Sequence, residues 1–123
     1  MSKVIHFEIP ANDTEKVVSF YRNVFDWKIE SWGDDKEYWL CATGEESEQG
    51  IHGAIYAVKG ENKTTVNTIS VDNLENFVEK ILQNGGEITQ PRMVIPGVGY
   101  IAMCKDDEGT PFGILQADPA VTV

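Results

Sequence analysis

The order of apolar and polar residues predicts that the chain begins with a strand, a helix and three more strands. Residues 4–9 alternate, so that one face of the first strand is apolar and the other carries His6 and Glu8. Apolar residues then recur at helical spacing over residues 13–25. Three shorter apolar stretches separated by turn residues predict a meander over residues 27–32, 38–43 and 51–58.

The same order of elements returns about 60 residues later. It predicts a strand over 65–71, a helix over 73–83 and strands over 87–90, 100–105 and 112–116, with residues 91–99 between the first two of these. Matching residues keep the spacing, as Glu15 with Glu75 and Gly53 with Gly113. A constant offset in a chain of twice its length indicates a duplication. We therefore predict a single domain over residues 1–123, with module 1 at about 1–60 and module 2 at about 61–123.

The starts of the two helices carry the same signal. Asn12 and Asp72 are each followed three residues later by a glutamate, which is typical of an N-cap with an acidic residue in the first turn.

Each βαβββ module is expected to cover one face of its small sheet with its helix, because strand–helix–strand connections are right-handed. The opposite faces must then pair or enclose a space. This predicts an α+β fold in which two modules form a partly open barrel with a cleft. His6 and Glu8 should face the cleft, since the residues alternating with them are needed against the helix.

Composition narrows the classes of partner. Twenty acidic and ten basic residues give a net charge of −10, which argues against binding to nucleic acid or an anionic membrane. No apolar run reaches the ~20 residues of a membrane span, and the first residues do not resemble a signal peptide. Cys41 and Cys104 lie in apolar stretches and are predicted to be small buried hydrophobes. The expected location is the cytoplasm.

Several segments together resemble the vicinal-oxygen-chelate superfamily, which includes glyoxalase I, extradiol dioxygenases, and fosfomycin- and bleomycin-resistance proteins. The resemblance covers nearly the whole chain. The segments that carry it are His6–Pro10, Phe20–Trp27, Ser70–Asn73, Asn84–Gly86 and Asp106–Phe112. It implies a glyoxalase-like fold of paired βαβββ modules. It also implies a homodimer, which would protect strand edges.

The resemblance further implies a position for a divalent metal, held by side chains on the first and fourth strands of each module. Carried over by the offset of 60 residues, these positions are His6, Val66 and the neighbourhoods of Gly53 and Gly113. Only His6 has a donor side chain, whereas a catalytic zinc site usually has three protein ligands. A shift of one or two residues in register would bring Tyr56 or Glu48 closer without completing such a set. No cofactor is therefore expected, and glyoxalase I activity is not expected.

The predicted function is binding of a small, aromatic or apolar molecule in the cleft. His6 and Glu8 are candidates for orienting the ligand or for proton transfer, and a purely structural role for them stays open. The predicted ligand contacts are His6, Glu8, Trp32, Trp39, Tyr56, Tyr100 and Phe112, although aromatic residues also fill cores. The alternative is a divalent-metal-dependent lyase, isomerase or dioxygenase that uses His6 as a ligand. A regulatory or immunity-like partner domain is a third possibility.

Overall fold

The computed structural model describes residues 2–34, 36–61 and 63–121. It divides into two compact units, an N-terminal unit of residues 6–65 and a C-terminal unit of residues 1–5 with 66–123. Each helix in the described ranges is too short or too polar to cross a membrane.

The N-terminal unit is the first predicted module. Its elements are β1 (Val4–Ala11, from His6 onward), α1 (Thr14–Phe25), β2 (Lys28–Ser31), β3 (Tyr38–Ala42) and β4 (Gly53–Ala57). The strand order is β2-β3-β4-β1, in which β1 runs parallel to β4 and the other neighbours are antiparallel.

The C-terminal unit repeats this arrangement. Its elements are β5 (Val66–Ser70), α2 (Leu74–Gln83), β6 (Glu87–Ile95), β7 (Gly99–Lys105) and β8 (Pro111–Ala117). The order β5-β8-β7-β6 again has one parallel pair, β5 with β8. The predicted α+β fold of two βαβββ modules is confirmed.

Both helix caps lie one residue after the predicted position. Asp13 and Asn73, rather than Asn12 and Asp72, accept a hydrogen bond from the backbone N–H three residues further on. The side-chain amide of Asn12 instead donates to the carbonyl of Val58 at 3.1 Å. The shift is equal in the two modules, so the offset of 60 residues is kept at the caps.

Each helix buries one face of its own sheet. The N-terminal core is formed by Ala11, Val18, Ile29, Trp39, Cys41 and Ile55, and the C-terminal core by Val71, Leu74, Ala102, Cys104 and Ile114. Both cysteines are free and buried, as predicted. Burial raises the pKa of each thiol to about 11, which keeps it protonated and unreactive at neutral pH.

Strand β6 is longer than the sequence indicated. The predicted strand ended at Gln90, but β6 continues through Pro91 to Ile95. Proline has no N–H to donate, and the pairing with β7 shifts register between Gln90 and Met93. This irregularity, in the strand at the end of the unit's sheet, accommodates the proline.

The strand register corrects one part of the repeat. Ile9 pairs with Ile55 in the first unit, and Ile69 pairs with Ile114 in the second. The offset is therefore 60 residues on the first strand of each module but 59 on the last. Gly53 and Gly113, predicted to be equivalent, are not, and Ala54 corresponds to Gly113.

Gly53 has its own structural reason. It pairs with Phe7, and a Cβ atom at position 53 would lie 2.5 Å from both the ring and the backbone carbonyl oxygen of Phe7. A Cβ at Gly113 would meet mainly the side chain of Met103, with its sulfur 3.3 Å away. A flexible thioether can move aside, whereas the backbone of β1 cannot.

We therefore expect Gly53→Ala to destabilise the protein by about 2 kcal/mol or more through overpacking. Gly113→Ala should change the free energy of unfolding by less than about 1 kcal/mol. Urea denaturation of both variants measures the difference. Equal losses would contradict the register described above.

Candidate functional site

A group of polar and aromatic side chains lies on the face of the N-terminal sheet opposite α1. Alternation along β1 places Phe7 and Ile9 on the helix side and His6 and Glu8 on the other. We call the latter the open face. Tyr38 from β3 joins it because its neighbour Trp39 lies in the core.

His6, Tyr38 and Glu8 form a hydrogen-bonded cluster on this face. The Tyr38 hydroxyl donates to Glu8 Oε2 at 2.5 Å, and His6 Nε2 lies 3.1 Å from the same hydroxyl. His6 Nε2 and Glu8 Oε2 are 3.9 Å apart. Since the single hydroxyl proton is donated to Glu8, the imidazole must donate from Nε2 to Tyr38. This leaves His6 Nδ1 unprotonated and able to accept a hydrogen bond.

The small residue Ala54 allows this cluster to form across the sheet. Tyr38 and Glu8 come from β3 and β1, with β4 between them. On β4, Ala54 pairs with Glu8 on one side and with Leu40 on the other, so that it lies below the line joining the two polar groups. A methyl side chain there leaves room for the tyrosine to reach across.

Burial and charge set the protonation states. Desolvation lowers the pKa of His6 below 6.5, partly opposed by the negative charge of Glu8, so the imidazole is neutral at pH 7. Desolvation and the bond to Glu8 raise the pKa of Tyr38, which stays a neutral hydroxyl. The pKa of Tyr56 is also raised, by burial first and then by the charge of Glu8.

Aromatic rings flank the polar cluster. Trp32 is 54% exposed and its ring stands nearly perpendicular to that of Tyr38, at 86° with centroids 6.5 Å apart. Tyr56 lies opposite Tyr38 on β4, and its hydroxyl donates to the carbonyl of Thr64 at 3.3 Å. The open face therefore offers a polar centre beside an accessible indole.

Three of the predicted ligand contacts lie elsewhere. Trp39 is 8% exposed in the N-terminal core, and its indole N–H donates to the carbonyl of Lys36. Tyr100 and Phe112 pack against the core of the C-terminal unit, on the side of α2. Alternation explains these positions, because each pairs with or neighbours a core residue on its strand. The structure thus groups His6, Glu8, Trp32 and Tyr56 and separates the other three from them.

Tyr38 is the member of the cluster that the ligand predictions omitted in favour of Trp39. The signal was present in the alternation of β3, where Trp39 and Cys41 share one face and Tyr38 and Leu40 the other. A buried cysteine marks the helix side, so its alternation partner Tyr38 belongs to the open face.

The C-terminal unit has different residues at the equivalent positions. By the offset on the first strands, His6 and Glu8 correspond to Val66 and Thr68. By strand pairing, Tyr38 corresponds to Ile101, because Tyr38 pairs with Tyr56 where Ile101 pairs with Leu115. The same backbone therefore forms with valine, threonine and isoleucine in these places, and the polar cluster is not a requirement of the fold.

The positions for a divalent metal lack donors. His6 has an imidazole, but Val66, Ala54 and Gly113 have no ligating side chain, and Tyr56 is engaged with a backbone carbonyl. Within residues 2–34, 36–61 and 63–121, no three His, Cys, Asp or Glu side chains are grouped closely enough to hold an ion. These residues do not fit the metal centre that the resemblance implies.

His52 is held by the loop before β4. Its Nδ1 accepts from the backbone N–H of Thr43 at 3.0 Å, which places the proton on Nε2, 3.2 Å from Glu46 Oε1. The ring is thus fixed by local bonds within residues 43–52.

Comparison with known proteins agrees with the fold. A profile of the Glyoxalase/Bleomycin resistance protein/Dioxygenase superfamily matches residues 3–114. The chain belongs to this superfamily. Lactoylglutathione lyases from Salmonella typhimurium (strain LT2) and Escherichia coli O157:H7 are each 26% identical to it, over 96% of this chain and 95% of theirs.

Solved structures resemble the chain over its whole length. Methylmalonyl-CoA epimerase from Streptomyces coelicolor, in complex with 2-nitronate-propionyl-CoA, has a TM-score of 0.69 at 12% identity and covers 100% of this chain and 99% of its own. A hypothetical protein from Bacillus halodurans C-125 has a TM-score of 0.67 at 13% identity, with 99% of each chain covered. At these identities the likeness concerns the fold.

The lowered pKa of His6 predicts an acid-dependent loss of stability. Below pH 6.5 the unfolded chain binds a proton at His6 that the folded chain does not, so stability falls as the pH drops from about 6.5 toward the folded pKa. The slope from this group is at most about 1.4 kcal/mol per pH unit. His6→Gln should remove that part of the slope in urea denaturation between pH 7.5 and 5. Parallel curves for the two proteins would contradict the neutral, buried imidazole, since His52 is common to both.

Proposed function

We propose that the chain binds a small aromatic or apolar molecule on the open face of its N-terminal unit, without the superfamily's set of metal ligands. The observation that carries the proposal is the His6–Tyr38–Glu8 cluster beside the exposed ring of Trp32. A hydrogen-bonded polar centre next to an accessible aromatic surface is typical of small-molecule sites.

The comparison between the two modules supports a functional origin for the cluster. Placing three polar side chains on a half-buried sheet face removes them partly from water, which costs free energy. The C-terminal unit forms the same sheet with apolar residues or threonine at these positions. A cluster that the fold does not need is retained for binding or for chemistry. His6 and Glu8 are also the candidates for proton transfer, if a reaction takes place.

A metal-dependent lyase, isomerase or dioxygenase is the second candidate. The relatives named lactoylglutathione lyase favour it, at 26% identity over nearly the full length. The donor set argues against it, because of the four superfamily positions only His6 carries a ligand. A cytoplasmic homodimer with a small-molecule partner remains our proposal for the assembly.

Binding can be tested with a panel of one- and two-ring aromatic compounds, using ligand-observed NMR and calorimetry. Trp32→Ala should weaken the binding of any hit about tenfold, since an aromatic contact and its buried area are lost. Tyr38→Phe should weaken it several-fold by separating His6 from Glu8. Tyr21→Phe makes the same chemical change on α1 and should leave affinity unchanged. Affinities that ignore both Trp32 and Tyr38 would refute the site.

Metal dependence is tested by adding Ni²⁺, Zn²⁺, Mn²⁺ or Fe²⁺ to the purified protein and measuring the bound stoichiometry. We expect no tight one-to-one binding, because one imidazole is not a sufficient site. Tight one-to-one binding that His6→Ala abolishes would establish the second candidate instead.

A further inference from the structure

The hydrogen bonds within the cluster leave it with acceptors only. The Tyr38 proton is donated to Glu8, and the His6 Nε2 proton to Tyr38. What remains for a ligand is His6 Nδ1 and Glu8 Oε1, neither of which has a hydrogen-bond partner within the part of the chain that the structure describes. Both atoms can only accept, since a carboxylate and an unprotonated imidazole nitrogen carry no hydrogen.

The charge of the cluster has the same sign preference. A neutral imidazole, a neutral phenol and a carboxylate sum to one negative charge. The side chains of His6 and Glu8 are 29% and 22% exposed, so this charge is only partly screened by water while still reachable. A negatively charged ligand group would be repelled by Glu8 and would find no free proton to accept.

Aromatic faces adjoin this charge. The perpendicular rings of Trp32 and Tyr38 form a corner, and Tyr56 lies beside Tyr38 on the next strand. Aromatic faces attract organic cations through the ring quadrupole. A carboxylate together with two or three aromatic rings suits a cation with an apolar body.

We infer that the ligand of this site is a protonated organic amine, whose N–H groups donate to Glu8 and His6 and whose apolar part packs on Trp32. This inference rests on the proposed binding function and names the chemical class of the ligand. An ammonium group needs only hydrogen-bond acceptors and aromatic faces, which the described residues supply. A divalent ion needs three or more donor side chains, a number that no group within the described ranges reaches.

The experiment compares three probes that share a phenyl ring and differ in the terminal group: 2-phenylethylamine, 2-phenylethanol and phenylacetate. Their dissociation constants are measured by calorimetry and NMR at pH 7.5. We expect the amine to bind at least about tenfold more tightly than the alcohol, the gain typical of a hydrogen bond to a charged group. Phenylacetate should bind most weakly.

Glu8→Gln keeps the shape of the side chain and removes its charge, so the preference for the amine over the alcohol should fall to near zero. Glu30→Gln is the matched control. Glu30 lies on β2, three strands from β1 and therefore about 14 Å away, beyond the screening length of about 8 Å. That variant should keep the preference.

The outcomes separate this inference from the function beneath it. If the alcohol binds as tightly as the amine and both bindings depend on Trp32, the site exists but the ligand class is wrong. If no probe shows binding that depends on Trp32 or Tyr38, the proposed site fails as well. Should Glu8→Gln not fold, the order of the three probes on the wild-type protein still decides the ligand class.

Discussion

The packing of α1 against one face of the N-terminal sheet is the constraint on which the site depends. Strand side chains alternate between faces, so once Ile9 and Ile55 are committed to the helix, the intervening residues must point the other way. His6 and Glu8 reach the same face for this reason and lie two residues apart on one strand. A register slip of one residue would bury both beneath the helix, which makes the position of the cluster as secure as the core itself.

That constraint also shows what the sequence could and could not predict. Alternation over residues 4–9 predicted the direction of His6 and Glu8, and helical periodicity predicted both helices, because each pattern reflects burial of one face. The equivalence of Gly53 and Gly113 was wrong because identical residue types at a constant spacing do not record a one-residue difference in chain length between strands. Only the pairing of Ile9 with Ile55, compared with Ile69 and Ile114, reveals that difference.

The site itself was predicted in part for a related reason. Tyr38 bonds to residues about 30 positions away, and such long-range partners leave no periodic trace in a single sequence. Trp39 was preferred because a large aromatic ring suits a ligand equally well as a core. The structure distinguishes the two neighbours through Cys41, which is buried on the same face as Trp39. Prediction from sequence is thus strongest where burial imposes a repeat and weakest where two polar groups meet across several strands.

The duplicated architecture provides an internal comparison that bears on the origin of the cluster. On the helix sides, the two units retain similar residues, as Cys41 with Cys104 and Ile55 with Ile114, because both must pack a helix on a sheet. On the faces away from the helices they differ, with His6 and Tyr38 replaced by Val66 and Ile101. Similarity where packing demands it and difference where packing does not is the result expected when one copy carries a polar site and the other supplies an apolar surface. A histidine present only to satisfy the fold would have no reason to be confined to one of two modules that fold in the same way.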